Sequence, residues 1–271
     1  TSYISTNGII TDSQRPVVEN ISPKVTITPE QPINGIYNKD VSVAVSVKEP
    51  KSDNAASYSG INQIRYEILN MGVVTQSGIL YQFNETSPNG HSLLDVWNKD
   101  DAIIVNKELN NSNDVEINVY AVDNAGNSGF ATKSIKIDVT RPSITVSYDN
   151  NDGDTLFGDN TYFKANRTAT IRIAERNFDP EMVNVICENE NKSKCEMSGW
   201  STSEGSGNGD DTIHTAQVYF RDDGDYTFDI SCTDKVLNEN SSVNYGTSLA
   251  PQRFTIDKIE PTVSIVYDND T

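Results

Sequence analysis

The chain has 271 residues, and 39 Asp and Glu against 21 Lys and Arg give a formal net charge of −18. At roughly 100–200 residues per domain, this length predicts two domains, and a hydrophobic content of only 35% predicts small cores. The acidic balance excludes nucleic-acid binding because phosphate contacts would meet net repulsion, and no apolar run approaches the roughly 20 residues that cross a bilayer.

The beginning of the chain is interpreted as a tail or as the end of a preceding repeat, over residues 1–14. Its sequence, TSYISTNGII, lacks the basic and apolar regions of a signal peptide. We therefore expect a soluble chain, or a piece of a longer one.

Alternating apolar residues predict β-strands along the rest of the chain, because a period of two places each set on one face of a strand. Turn sequences such as NAGN and DDGD separate these strands. One exception is 91–101, for which we predict one or two helical turns. The alternating sets are Val41, Val43, Val45 and Val47; Ile117, Val119 and Ala121; Ile171 and Ile173; and Tyr226, Phe228, Ile230 and Cys232.

A repeat of domain size organises the chain. The segment DVTRPSITVSYDNND, from Asp138, recurs as DKIEPTVSIVYDND from Asp257, and a looser copy begins near Asp12. A spacing of about 120 residues is typical of tandem domains. Each unit also places a Tyr, Tyr37 or Tyr162, just before its first alternating strand.

These repeats set the predicted boundaries: one domain at 15–138, a second at 139–258, and the start of a further repeat at 259–271. About seven strands per unit are expected, at the spacing of a β-sandwich. The junctions are short and each contains a proline, so we expect a rod-like monomer. These prolines are Pro16, Pro142 and Pro261.

The second unit resembles the tandem Ig-like repeats of very large cell-wall-anchored surface proteins of Gram-positive gut bacteria. The matching features are the D-x-x-x-P junction with ITVSYDNN, then YFKANRTATIRIAERNFDP, SGW, HTAQVYFRDDGDYTF and TDKVLN. The first unit matches mainly at AVDNAGN and at its junctions. The resemblance implies an all-β chain of two tandem Ig-like β-sandwich domains, located outside the bacterial cell. Some proteins of this kind bind host molecules, and immunoglobulin variable regions, bound in a superantigen-like manner, are among these. The resemblance therefore also implies that the chain binds a host protein.

Catalytic chemistry is not expected. The only histidines, His91 and His214, lie in different units, and no G-x-S-x-G or comparable nucleophile motif accompanies them. We therefore predict that the chain is not an enzyme and holds no organic cofactor.

A calcium site is one hypothesis for the acidic loop DNNDGD, in which Asp149, Asp152 and Asp154 offer the oxygen ligands that Ca²⁺ prefers. Its spacing departs from the EF-hand loop, so a solvated polar turn is the alternative. A calcium titration followed by thermal melting distinguishes the two.

Two pairings of the three cysteines are consistent with the sequence. Cys195 stands across a short hairpin from Cys187, which predicts a Cys187–Cys195 disulfide. A Cys187–Cys232 pair is the alternative, because sequence alone does not fix connectivity.

The middle of the first unit diverges from the second and carries a set of apolar and aromatic residues. Such residues dominate protein interfaces as well as small cores. We interpret them as a candidate partner-binding patch: Tyr81, Phe83, Leu93, Leu94 and Trp97.

The sequence leaves two functions open. The first is a non-catalytic segment of a surface protein that binds a host protein, because one unit carries a middle of its own. The second is a stalk of spacer repeats that projects a distal domain.

Overall fold

The computed structural model describes residues 2–5, 8–11, 23–50, 59–84, 93–151, 153, 161–190, 194–203, 212–246 and 252–267. The protein is all-β, as the alternation predicted, and most of its strands pair antiparallel. Within the described ranges the only helical element is a single 3₁₀ turn at Pro180–Met182. The chain divides into two compact units, Thr1–Val139 and Thr140–Thr271.

In unit 1, the described strands form a two-stranded sheet of order β1–β2, a three-stranded sheet of order β3–β4–β7, and a four-stranded sheet of order β6–β5–β8–β9. The strands are β1 (Ser2–Ser5), β2 (Gly8–Thr11), β3 (Lys24–Pro29), β4 (Val41–Lys48), β5 (Ile61–Asn70), β6 (Val73–Gln82), β7 (Val96–Val105), β8 (Val115–Asp123) and β9 (Ser128–Ile135).

The core of unit 1 is almost entirely aliphatic. Every second residue of β4 is buried, from Val41 to Val47, because successive side chains of a strand point to opposite faces. These valines share one cluster with the isoleucines of β5 and the inward residues of β8.

In unit 2, one sheet has the order β14–β16–β12–β10–β18, with β15 also paired to β16, and the other has the order β11–β19–β17–β13. The strands are β10 (Ser143–Tyr148), β11 (Tyr162–Phe163), β12 (Arg167–Ala174), β13 (Val183–Asn189), β14 (Glu196–Met197), β15 (Ser201–Ser203), β16 (Ile213–Phe220), β17 (Gly224–Cys232), β18 (Val243–Asn244) and β19 (Gln252–Ile256).

The core of unit 2 is aromatic at its centre. The ring centroid of Phe220 lies 4.9 Å from that of Phe254, 5.2 Å from that of Tyr226 and 5.7 Å from that of Phe228. All three contacts are edge-to-face, an arrangement that aromatic pairs favour electrostatically. The buried guanidinium of Arg167 stacks beside this group, 4.8 Å from the ring centroid of Phe254.

Each unit contains the same kind of parallel backbone pairing, in which a residue that precedes its first long central strand pairs with the end of the unit. In unit 1, Tyr37 forms an isolated parallel bridge with Ile137, two residues after the end of β9, and the Asp138 N–H donates to the Tyr37 carbonyl at 2.8 Å. In unit 2, the Asp257 N–H donates to the carbonyl of Phe163 at 2.9 Å. The buried counterpart of Tyr37 is therefore Phe163 and not the exposed Tyr162, one residue away from the alignment that the tyrosines suggested.

The helical turns predicted for 91–101 are wrong over the described part of that segment. Strand β7 begins at Val96 and pairs antiparallel with β4, so that Trp97 faces Val47. Residues 93–95 have no regular structure, and 91–92 lie outside the described residues. Strand β7 was not recognised from the sequence because it lacks regular alternation: it is an edge strand, and a register shift interrupts its polar run NKDD.

Candidate protein-binding surface

One row of side chains crosses the outer face of the β6–β5–β8–β9 sheet. The register places Ile79 opposite Arg65, Arg65 opposite Tyr120, and Tyr120 opposite Phe130. Directly opposed residues of antiparallel strands share a face, and the inward residues of β8 on either side of Tyr120 are buried. We call these four residues the arginine–aromatic row.

The middle of the row is held by close polar and ring contacts. The Arg65 guanidinium lies 3.9 Å from the Tyr120 ring centroid and donates to Glu67 at 2.7 Å. The Tyr120 and Phe130 centroids are 5.0 Å apart. Partial burial, followed by the nearby negative charge of Glu67, raises the pKa of Tyr120 above its ordinary value of 10. The row therefore presents a cation in a fixed position between aromatic and aliphatic side chains.

The two ends of the row are open to solvent. Ile79 is 62% exposed and Phe130 is 56% exposed. Arg and aromatic residues are enriched at protein interfaces, where they supply most of the binding energy. A contiguous row of such residues is thus the feature of unit 1 best suited to a protein partner.

Unit 2 carries no equivalent of the row at the matching described positions. The turns that follow β8 and β17 begin at Asp123 and Asp234, so Ser231 corresponds to Tyr120. Ser231 is paired with Asn184, which corresponds to Arg65. The surface belongs to one unit and provides matched control positions in the other.

The residues that the sequence proposed for partner binding lie elsewhere. Tyr81, Leu94 and Trp97 pack against the core of unit 1, and burial raises the pKa of Tyr81 above its ordinary value. Phe83 and Leu93 are half-buried. The five do not form one exposed patch. The arginine–aromatic row was missed, although assigning Ile117, Val119 and Ala121 to the core already directs Tyr120 outward.

No family model matches the chain, and no curated protein matches its sequence. The described residues also include no helix that is both long and apolar enough to span a membrane.

Of the acidic residues considered for calcium, Asp149 accepts a hydrogen bond from the Thr168 N–H at 2.7 Å. The Asp149 N–H in turn donates to the Thr168 carbonyl at 3.1 Å, so the two bonds extend the pairing of β10 with β12 by one residue. Asp152 and Asp154 lie outside the described residues.

The Asp side chains of the two matching turns accept hydrogen bonds from backbone N–H groups. One carboxylate oxygen of Asp123 accepts from the N–H groups of Ala125 and Asn127. Asp234 accepts in the same way from Val236 and Asn238, each at 2.8 Å. These are the side chain-to-backbone bonds by which Asp stabilises tight turns.

The structure joins Cys187 and Cys195 in a disulfide, with Cα atoms 5.6 Å apart. Cys187 lies in β13 and Cys195 directly precedes β14, so the bond links the two sheets of unit 2. Cys232 is a buried free thiol. Its burial, with the negative charges of Glu175 and Asp234, raises its pKa to about 12.

His214 is buried and stacks on Phe178, with ring centroids 4.0 Å apart. Its Nε2 is 2.8 Å from the Glu175 carbonyl oxygen, which can only accept, so Nε2 carries the proton. The Thr202 hydroxyl then donates to Nδ1 at 2.9 Å. Burial lowers the pKa of His214, which makes it a neutral packing residue; His91 lies outside the described residues.

Proposed function

We propose that the chain is a non-catalytic binding segment of a bacterial cell-surface protein, and that unit 1 binds a host protein through the arginine–aromatic row. The observation that carries the proposal is the presence of this exposed row on unit 1, where unit 2 has Asn184 and Ser231. Spacer repeats need no such difference between their surfaces. A binder needs one surface of its own.

The class of partner follows from the resemblance to bacterial surface repeats, which makes immunoglobulin variable regions the first candidate. An extracellular location agrees with the Cys187–Cys195 bond, because disulfides persist in oxidising compartments.

A pull-down from human serum and mucosal secretions, with residues 1–271 as bait and mass spectrometry as readout, tests this function. We expect the chain to enrich one host protein, and the Arg65→Ala/Tyr120→Ala variant to lose at least about tenfold of that enrichment, because interface hot spots are commonly Arg and Tyr. The matched control, Asn184→Ala/Ser231→Ala, should bind as the parent does. A thermal melt of each variant checks that unit 1 remains folded.

The alternative function is a stalk that holds a distal domain away from the cell wall. Its support is the domain-sized repeat with short junctions. Enrichment of no host protein by the parent chain would favour the stalk. Enrichment that the row variant leaves unchanged would keep the binding function and assign it to a surface other than the row.

A further inference from the structure

Each unit has a cleft at the same place in its fold. In unit 1 the cleft lies between β3 and β9, and its lining includes residues 27–29 and 133–135. In unit 2 it lies between β10 and β19, and its lining includes residues 146–148 and 252–254. These strands correspond in topology: β3 pairs with β4 as β10 pairs with β12, and β9 pairs with β8 as β19 pairs with β17. The two clefts are therefore one feature of the repeat and can be compared position by position.

The first residue of β4 and that of β12 differ in kind between the units. Both strands are eight residues long, and they begin at Val41 and Arg167. The N–H of the next residue, Ser42 or Thr168, donates in each unit to the carboxylate of the acidic residue that follows β3 or β10. Val41 is fully buried and Arg167 is 5% exposed. Because the fold accepts valine at this position in unit 1, it does not itself require the arginine of unit 2.

In unit 2 this arginine lines the cleft, and its guanidinium is held in a fixed position. The guanidinium carbon of Arg167 lies 3.7 Å from the ring centroid of Tyr148 and 4.1 Å from that of Phe163. Its Nε donates to the Asn150 carbonyl at 2.8 Å, and its Nη2 donates more weakly to Asn151 Oδ1 at 3.4 Å. Nη1 bonds to no described residue, and it is not among the enclosed polar atoms that lack a partner. The cation is thus immobilised, and its Nη1 remains accessible to a ligand.

The structure pairs Arg167 with no carboxylate among the described residues. Asp149 acts on its charge, but the Asp149 carboxylate accepts from the Thr168 N–H instead. Of the described residues that line the cleft, two are Arg and none is Asp or Glu, although the chain has 39 acidic residues. The matching cleft of unit 1 has both Glu30 and Lys133 in its lining, so its charges balance. Because buried charges are normally paired, the unit 2 cleft is suited to an anion.

We infer that the cleft of unit 2 is a binding site for a small organic carboxylate. The site belongs to the unit that lacks the arginine–aromatic row, so the inference goes beyond the proposed function and does not depend on it. The guanidinium fork of arginine matches the geometry of a carboxylate, which accepts two parallel N–H bonds. In Arg167 the unbonded Nη1 and the weakly bonded Nη2 are the donors available for such a pair.

The rest of the cleft suits an organic body better than a bare inorganic anion. Its volume is about 370 Å³, within the range of small-molecule sites, which are lined mainly by apolar and aromatic groups with a few placed polar ones. Val146, Phe163 and Phe254 supply apolar walls, and the exposed Arg253 brings a second cation. An inorganic anion would pair with the cations but would leave these walls without a partner.

The test titrates benzoate into the full ¹⁵N-labelled chain at constant ionic strength and follows the NMR signals of the protein. Benzamide has the same shape without the charge, and phosphate has charge without an apolar body, so these two compounds are the controls. We expect benzoate to shift the Arg167 Nε–H signal and the amide signals of residues 146–148 and 252–254, with a dissociation constant in the millimolar range. Benzamide and phosphate should bind at least about tenfold more weakly, because charge-assisted hydrogen bonds and apolar burial each strengthen binding.

A second acid identifies the body of the ligand. Glucuronate is titrated in parallel, with glucose as its neutral control. Whichever acid binds more tightly, benzoate or glucuronate, assigns the body as an aromatic ring or a sugar.

Two variants on one strand separate the site from a general attraction of anions to arginine. Arg167→Met removes the cation and keeps an apolar side chain beside the rings, whereas Arg172→Met removes an exposed cation from the same strand, β12. We expect Arg167→Met to weaken benzoate binding at least about tenfold and Arg172→Met to leave it unchanged. Urea unfolding of each variant checks that unit 2 is folded. Arg253→Gln, at an exposed position, should weaken binding several-fold without affecting the fold.

Several results would overturn the inference. These are no shifts with either acid at millimolar concentration, shifts centred outside the cleft, equal affinity for an acid and its neutral control, or unchanged binding by folded Arg167→Met. Phosphate that binds as tightly as both acids would identify an unspecific anion site and would overturn it too. If Arg167→Met does not fold, the Arg167 Nε–H signal of the parent chain and the binding of Arg253→Gln decide in its place. None of these outcomes bears on the pull-down, which tests a surface of unit 1.

Discussion

Reduction of the Cys187–Cys195 bond should destabilise unit 2 and leave unit 1 unchanged. The two bonded cysteines are separated by eight residues in sequence, and all three cysteines of the chain lie in unit 2. For a loop of this size, the lost entropic constraint on the unfolded chain corresponds to about 2.5 kcal/mol at 25 °C. With a urea dependence of roughly 1–3 kcal/mol per molar, the midpoint of unit 2 should fall by about 1–2.5 M.

The assay uses the two tryptophans, because each unit contains one. Trp97 packs against the core of unit 1 and Trp200 against the core of unit 2. In a Trp97→Phe background, fluorescence during urea unfolding reports unit 2, and in a Trp200→Phe background it reports unit 1. Each is measured with and without reductant, so that the side chains are identical in the two arms.

Two results would refute this reasoning. A Trp200 transition that does not move on reduction would show that the bond does not constrain the unfolded chain. A Trp97 transition that moves equally would show that the effect is not confined to unit 2. Cys187→Ala/Cys195→Ala serves as a second arm, in which loss of the partly buried sulfur adds to the loss of the cross-link.

Three further predictions concern buried groups of unit 2. Burial lowers the pKa of His214 below 6.5, so as the pH falls the unfolded state binds a proton at this residue before the folded state does. The free energy of unfolding of unit 2 should therefore keep the His214 contribution above pH 6.5 and lose it as the pH falls below 6.5, and the urea midpoint of a His214→Gln variant should lack this pH dependence. Arg167→Ala should lower the free energy of unfolding of unit 2 by about 2–4 kcal/mol, because it removes a hydrogen bond to the Asn150 carbonyl and stacking on three rings. Arg167→Met should lower it less, because the Met side chain keeps the apolar contact. Equal urea midpoints of the two variants would contradict this. With a pKa of about 12, the Cys232 thiol should resist iodoacetamide in the folded protein and react only in urea, as mass spectrometry would show.

Much of the fold was predictable because period-two alternation is a local signal. Val41 to Val47 are buried because β4 lies at the centre of its sheet, where one face must meet the core. Strand β7 lies at an edge and carries NKDD, so its backbone pairing with β4 outweighed a sequence that does not alternate.

The candidate surface depended on register, which the sequence did not supply. Arg65, Tyr120 and Phe130 are far apart in the chain, and only the pairing of β5, β8 and β9 aligns them. The proposed patch at Tyr81, Leu94 and Trp97 illustrates the opposite case, since exposed and core aromatic residues have the same composition and only packing separates them.

The different cores of the two units bear on how tandem repeats fold. Neighbouring repeats risk exchanging strands during folding, and such misassembly is a characteristic failure of multidomain chains. Here Ile117 of β8 corresponds to Phe228 of β17, and both are fully buried. Placing β8 in unit 2 would leave a void where the Phe228 ring belongs, while β17 in unit 1 would overfill an aliphatic core. This mismatch in side-chain volume should disfavour exchange of β8 and β17 between the units.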